Sequence, residues 1–143
     1  MSKKDRLDKN INEQYSELIK SAIRIMETAY VPYSKFHVGA SILDNNETIH
    51  SGSNVENAAY PVGCCAEASA ISIMIASGGT KIKAIAVAGD GELLCTPCGG
   101  CRQRIREFAN LDTPILVCGK EGLRKKFTLR ELLPASFGPE NLN

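Results

Sequence analysis

Three cysteines on two short segments constrain this chain more than any other feature. One segment reads Cys65-Ala66-Glu67 and the other, about thirty residues later, reads Pro97-Cys98-Gly99-Gly100-Cys101. Each precedes a stretch with helical character, so both are expected at helix beginnings. Residues three apart lie on one helix face, which lets Cys98 and Cys101 aim both sulfurs at a single ion. A third thiolate from Cys65 leaves one corner of a tetrahedron open. Three protein ligands plus water is the arrangement of catalytic zinc, whereas four protein ligands make a structural site. The positive ends of two helices favour thiolate over thiol. Glu67, two residues past Cys65, is placed to face a bound water as a proton shuttle. A Cys-x-x-Cys pair alone carries less weight, and Cys95-Thr96-Pro97-Cys98 overlaps it, so a redox pair or a four-thiolate structural site using Cys95 stays open. Cys118, in an apolar run, reads as a small core residue, and the same reading is open for Cys64 and Cys95.

The rest of the pattern predicts the scaffold that brings these segments together. The first ten or so residues are polar without periodicity, and residues 1–12 read as a flexible tail ahead of a single domain over residues 13–143. Apolar residues recur every three to four positions from Glu13 to about Ala29, which predicts a helix ended by Pro32. Residues 37–53 read as a hairpin turning at Asp44-Asn45-Asn46, followed by a loop from Asn54 to Gly63. Glu67–Ser77 reads as a helix closed by Gly78-Gly79, apolar nearly all round and therefore buried. Ile82–Ala88 and Pro114–Cys118 are short apolar runs of the kind found in strands covered on both faces. Pro97 is expected in the first turn of a helix running to about Phe108. A short strand near Arg124–Phe127 and a helical turn over Thr128–Leu133 complete the series. This alternation predicts an α/β fold, a three-layer α/β/α domain on a central mixed sheet of about five strands.

Composition narrows the class of partner. With 17 Lys and Arg against 16 Asp and Glu, and no Trp, the chain lacks the cationic surplus and stacking aromatics that a polynucleotide demands. The cluster Lys120, Arg124, Lys125 and Lys126 reads as a solvated edge. No apolar run reaches membrane-spanning length, and the charged opening Lys3-Lys4-Asp5-Arg6 does not resemble a secretory signal, so a cytoplasmic location is expected. His37 and His50 fall in the hairpin without metal-ligand spacing and read as hydrogen-bonded or surface histidines.

The chain resembles the homotetrameric, zinc-dependent cytidine deaminases over most of its length. The matching stretches are Tyr30-Val31-Pro32-Tyr33-Ser34-Lys35-Phe36, Val38-Gly39-Ala40, Asn54-Val55-Glu56-Asn57-Ala58-Ala59-Tyr60, Cys65-Ala66-Glu67, Pro97-Cys98-Gly99-Gly100-Cys101-Arg102-Gln103, and Leu132-Leu133-Pro134 with Phe137-Gly138-Pro139. The resemblance implies one Zn²⁺ per subunit on Cys65, Cys98 and Cys101, with Glu67 as acid and base. It further implies that Asn54 and Glu56 hold the ribose hydroxyls and that Phe36 packs on the pyrimidine. Ala66, Tyr60 and Phe137 would also line the pocket, with Phe137 and the surroundings of Tyr60 at subunit boundaries. The expected reaction is hydrolytic deamination of cytidine and deoxycytidine in pyrimidine salvage.

The chain departs from that family at one charged position. The family usually carries arginine directly after the catalytic glutamate, and here the residue is Ala68. Zn²⁺ with three thiolates is already −1, and uncompensated negative charge makes water harder to ionise. Helix dipoles together with Arg102 or Arg104 are the expected compensation, although these two and Arg106 could equally form a solvated helix face. Blasticidin-S-type deaminases share the zinc signature and form the nearest alternative, while an inactive zinc-binding module is a second. Glu56 and Phe36 favour a nucleoside-shaped pocket over the first, and Glu67 argues against the second.

Overall fold

The computed structural model describes residues 1–143. In chain order the helices are α1 (Lys3–Gln14), α2 (Ser16–Met26), α3 (Ala66–Ala76), α4 (Gly99–Phe108) and α5 (Leu129–Leu132). The strands are β1 (Val38–Asp44), β2 (Ile49–Ser53), β3 (Ile82–Gly89), β4 (Pro114–Gly119) and β5 (Gly122–Thr128). The strands form one sheet in the order β2-β1-β3-β4-β5. β3 and β4 run parallel, and every other neighbouring pair is antiparallel. The sheet is therefore mixed and five-stranded.

Side-chain alternation along the central strands creates the layers. Ala84, Ala86, Ala88, Leu116 and Cys118 pack with Ile11, Leu18, Ile19, Ala22 and Met26 of α1 and α2 on one face. Ile85, Val87, Ile115 and Val117 pack with Ala66, Ala70, Met74, Ile105 and Leu129 of α3, α4 and α5 on the other. A period of two along a strand sends neighbouring residues to opposite faces, so both faces of β3 and β4 are apolar. Small residues dominate the α2 side, where the helix lies very close: a Cβ at Gly39 would fall 2.2 Å from the carbonyl oxygen of Ala22. That approach fixes the height of β1 above α2.

The structure departs from the sequence pattern at four places, each for a local reason. Residues 3–12, expected to belong to a flexible polar tail, are helical as part of α1, and Ser2 caps that helix through a reciprocal exchange with Asp5. The helix expected over 13–29 is interrupted at Tyr15, whose φ of −114° and ψ of 23° break the spiral, and it ends at Met26. α3 is not buried all round: Ala66, Glu67, Ala70, Ile71 and Met74 face the sheet, while Ile73 and Ile75 are exposed. A helix laid on one sheet covers one stripe, whatever the polarity of the remainder. Finally, α4 starts at Gly99 with Cys98 as its N-cap, which leaves Pro97 outside the helix.

Candidate metal centre and substrate pocket

Both α3 and α4 point their N-termini at the same spot, and a cysteine stands at each N-cap. Cys65 (φ −73°, ψ 153°) and Cys98 (φ −64°, ψ 166°) are extended residues from which helical geometry begins. Neither side chain caps its own helix. Cys101, in the first turn of α4, completes the group. The three sulfurs all lie within 4.8 Å of one another, with Cys65 and Cys98 at 3.9 Å. Two sulfurs each about 2.3 Å from a tetrahedral ion stand about 3.8 Å apart, so the trio fits a single zinc with small adjustments. Thiolate donors in a tetrahedral arrangement also select zinc over harder cations.

The surroundings act on these groups in opposing ways. Burial pushes the Cys65 and Cys101 thiols up from their ordinary value, so a metal must displace protons to bind there. For Cys98 burial works in the same direction, but the Cys101 backbone N–H and the neighbouring sulfurs outweigh it and the thiol is lowered. Glu67 is 4% exposed, and its burial raises the carboxyl, while Cys101 and the Arg104 guanidinium draw it partly back. Arg104 donates from Nη1 to Cys101 Sγ at 3.6 Å. Arg102 instead holds the loop before α4, donating to the carbonyls of Pro97 and Leu132 and to Thr96 Oγ1. Arg106 is not on a solvated face: it is 7% exposed, donating to Ser136 Oγ and paired with Glu140 at 2.7 Å.

The remaining cysteines stand outside the trio. Cys118 lies among the α2-side residues, across the sheet from the cysteine trio, and burial pushes its thiol up to about 12. Cys95 packs beside Gly89 and against the core on the α3 and α4 side, with its thiol raised to about 11 by burial. Cys64, expected as a small core residue, is instead exposed in the loop before α3, its Sγ 3.4 Å from Ser69 Oγ. Both histidines meet carboxylates, His37 Nδ1 at 2.8 Å from Asp90 and His50 Nε2 at 2.7 Å from Asp44. In the basic cluster, Arg124 bonds the carbonyls of Gly91 and Leu93 as well as Glu121, Lys120 pairs with Asp90, and Lys125 lies over the Phe127 ring, so three of the four cations are engaged within the chain.

A cavity of about 400 Å³ opens next to the segment leading to Cys65, lined by Tyr33, Ser34, Glu56, Asn57, Tyr60 and Gly63. Its volume is within the range of small-molecule sites. Glu56 Oε1 accepts hydrogen bonds from the backbone N–H groups of Tyr33 and Ser34, at 3.0 and 3.1 Å. Asn54 spans the entry to β1, donating from Nδ2 to the Phe36 carbonyl and accepting at Oδ1 from Val38 N–H. These two side chains thus shape the loop that presents Phe36, which is 40% exposed. Ala66 is fully buried beneath the site, whereas Tyr60 and Phe137 are 78% and 58% exposed. Tyr33, Ser34, Asn57 and Gly63 had no individual role in the sequence reading, although all but Gly63 lie inside its motif stretches.

A family model described as the cytidine and deoxycytidylate deaminase zinc-binding region matches residues 12–117. The chain is 42% identical over 127 residues to a cytidine deaminase of Sporosarcina psychrophila, covering 89% of this chain and 93% of that one. It is 40% identical to a cytidine deaminase of Halalkalibacterium halodurans, covering 88% and 96% of the two chains. The crystal structure of cytidine deaminase from Burkholderia pseudomallei superposes with a TM-score of 0.81 at 35% identity, covering 86% of this chain and 98% of that one.

Proposed function

This chain belongs to the cytidine and deoxycytidylate deaminase family, and on that premise we propose that it hydrolyses cytidine and deoxycytidine to uridine and deoxyuridine with release of ammonia. The observation that carries the reading is the trio of sulfurs at two helix N-termini, overlooked by a carboxylate that is almost completely buried. Cys65, Cys98 and Cys101 would hold the zinc. When bound, the metal would supply a nucleophile near neutral pH by lowering the pKa of water at the site.

Glu67 does the proton work. It accepts one proton of the attacking water and delivers it to N3 of the pyrimidine, which makes C4 electrophilic; it then takes the second proton from the new C4 hydroxyl and passes it to the amine, which departs as ammonia and leaves a 4-keto ring. One carboxylate serves both steps because it gives back what it takes. Its low exposure keeps bulk water from competing for that proton.

Sugar recognition falls to Glu56 and Asn54. Oε1 of Glu56 is occupied by two backbone donors, so Oε2 is the oxygen left to accept from a ribose hydroxyl. Asn54 retains one amide hydrogen and one oxygen lone pair after its two loop contacts, enough for a hydroxyl that both donates and accepts. Phe36 packs on the base, and Ala66 forms the floor beside the metal.

The assembly is a homotetramer in which Tyr60 and Phe137 complete the pockets of neighbouring subunits. Their exposure, and that of Ile73 and Ile75 on α3, supports this assignment by leaving apolar surface to be covered. No helix is long and apolar enough to cross a membrane, and free nucleosides in cytoplasmic pyrimidine salvage are the fitting substrates.

Turnover of cytidine, deoxycytidine and blasticidin S, followed side by side by ultraviolet absorbance, tests the reading. Conversion of both nucleosides with little action on the antibiotic is expected. Action on blasticidin S alone would transfer the chain to that class, and zinc binding without any turnover would make it a binding module.

A further inference from the structure

We propose that Arg104 is the positioning residue that offsets the negative charge of the zinc-thiolate centre, doing from α4 what no side chain at Ala68 on α3 can do. The inference rests on the zinc-ligand assignment given above and adds the question of what balances it. A divalent cation on three thiolates carries −1, and each further negative charge raises the cost of assembling it. A cation near the sulfurs is therefore needed in addition to the two helix termini.

The structure supplies one cationic side chain in contact with the sulfurs. Arg104 follows Cys101 by three residues on α4, so the two side chains share a face, and Nη1 reaches Sγ at 3.6 Å. Gly100 leaves the space for this guanidinium, since a Cβ there would stand 3.2 Å from Nη1. Neighbouring arginines are committed elsewhere. Arg102 has donors on Pro97, Leu132 and Thr96, and Arg106 is locked to Ser136 and Glu140. Ala68, one residue past Glu67, has no group that could substitute. Because Arg104 is itself exposed in the protomer, solvent screens its charge, and its effect is expected to be about tenfold rather than thousands of times.

Three variants of the full-length protein test this: Arg104→Gln, Arg104→Lys, and the exchange Ala68→Arg combined with Arg104→Gln. The primary readout is the rate at which bound zinc passes to a chromophoric chelator at fixed pH. The thiolate-to-metal charge-transfer band of the cobalt-substituted protein is the second, and cytidine turnover the third. Arg104→Gln is expected to release zinc about tenfold faster, equivalent to about 1.4 kcal/mol, to shift the cobalt band and to lower turnover. Arg104→Lys should fall between it and the parent, and the exchange should restore the parent rate in part. A glutamine variant matching the parent in release rate and cobalt band would overturn the proposal. So would a lysine variant as impaired as glutamine with no rescue by the exchange, because shape rather than charge would then matter. A parent protein that binds no zinc would instead refute the ligand assignment, an outcome distinct from either.

Discussion

Glutamine in place of Glu67 preserves the length and planarity of the side chain while removing its ability to accept and return a proton. The side chain is buried in the first turn of α3, and burial raises its carboxyl above the ordinary value of 4.5. A carboxyl whose folded-state pKa is raised contributes stability below its unfolded value and loses that contribution as pH rises through the folded value. In metal-free protein near neutral pH the cost of ionising a buried Glu67 thus opposes folding, and Glu67→Gln should melt at the same temperature as the parent or higher. Catalysis should move the other way. General acid and base assistance is worth about 10²–10⁴-fold, or about 2.7–5.4 kcal/mol of barrier. The loss should appear in kcat, with KM little changed because the sugar and ring contacts lie on other residues. Parallel measurement of zinc content, thermal unfolding and cytidine turnover separates these effects. A zinc-loaded glutamine variant working within a few-fold of the parent would refute the assignment of Glu67.

Other perturbations probe the scaffold and the pocket. Burial alone would raise Asp44, but the His50 ring and the backbone N–H groups of Thr48 and Asn46 outweigh it and hold the carboxyl below its ordinary 3.8. The resulting stability is present above that value and lost as pH falls through the folded pKa, so urea stability of the parent should drop in acid more steeply than that of Asp44→Asn; parallel curves would contradict this. Cys98→Ala should lower both zinc content and the melting temperature, since ligand binding contributes folding energy, whereas unchanged zinc would point to Cys95 as a ligand. Phe36→Ala should raise KM for cytidine about three- to tenfold with a smaller change in kcat, in line with an aromatic contact of about 0.5–1.5 kcal/mol; an unchanged KM would remove the ring from the pocket.

Features carried by local chemistry were legible in the sequence. The apolar runs of β3 and β4 announced strands covered on both faces, and they form the centre of the sheet. The spacing of Cys98 and Cys101 implied a shared face, and their sulfurs cluster with that of Cys65. What escaped depended on distant partners or on weak local signals. α1 has one buried residue, Ile11, so no amphipathic stripe betrayed it, and its start depends on the Ser2–Asp5 capping exchange. α3 misled in the other direction, because uniform apolarity records how hydrophobic a helix is and not which side meets the sheet. Arg106 belongs to a residue type that is usually solvated; its burial requires Glu140, 34 positions away in the chain. Asn54 and Glu56 were visible as polar groups, but their pinning of the 33–38 loop becomes apparent only once that loop folds over them.

X-ray absorption at the zinc edge, combined with metal analysis of the purified protein, bears most directly on the central claim. The account predicts one zinc per chain with three sulfur neighbours at about 2.3 Å and one lighter oxygen neighbour. Four sulfurs around the metal, or a metal-free protein with Cys65 and Cys98 joined in a disulfide, would contradict it.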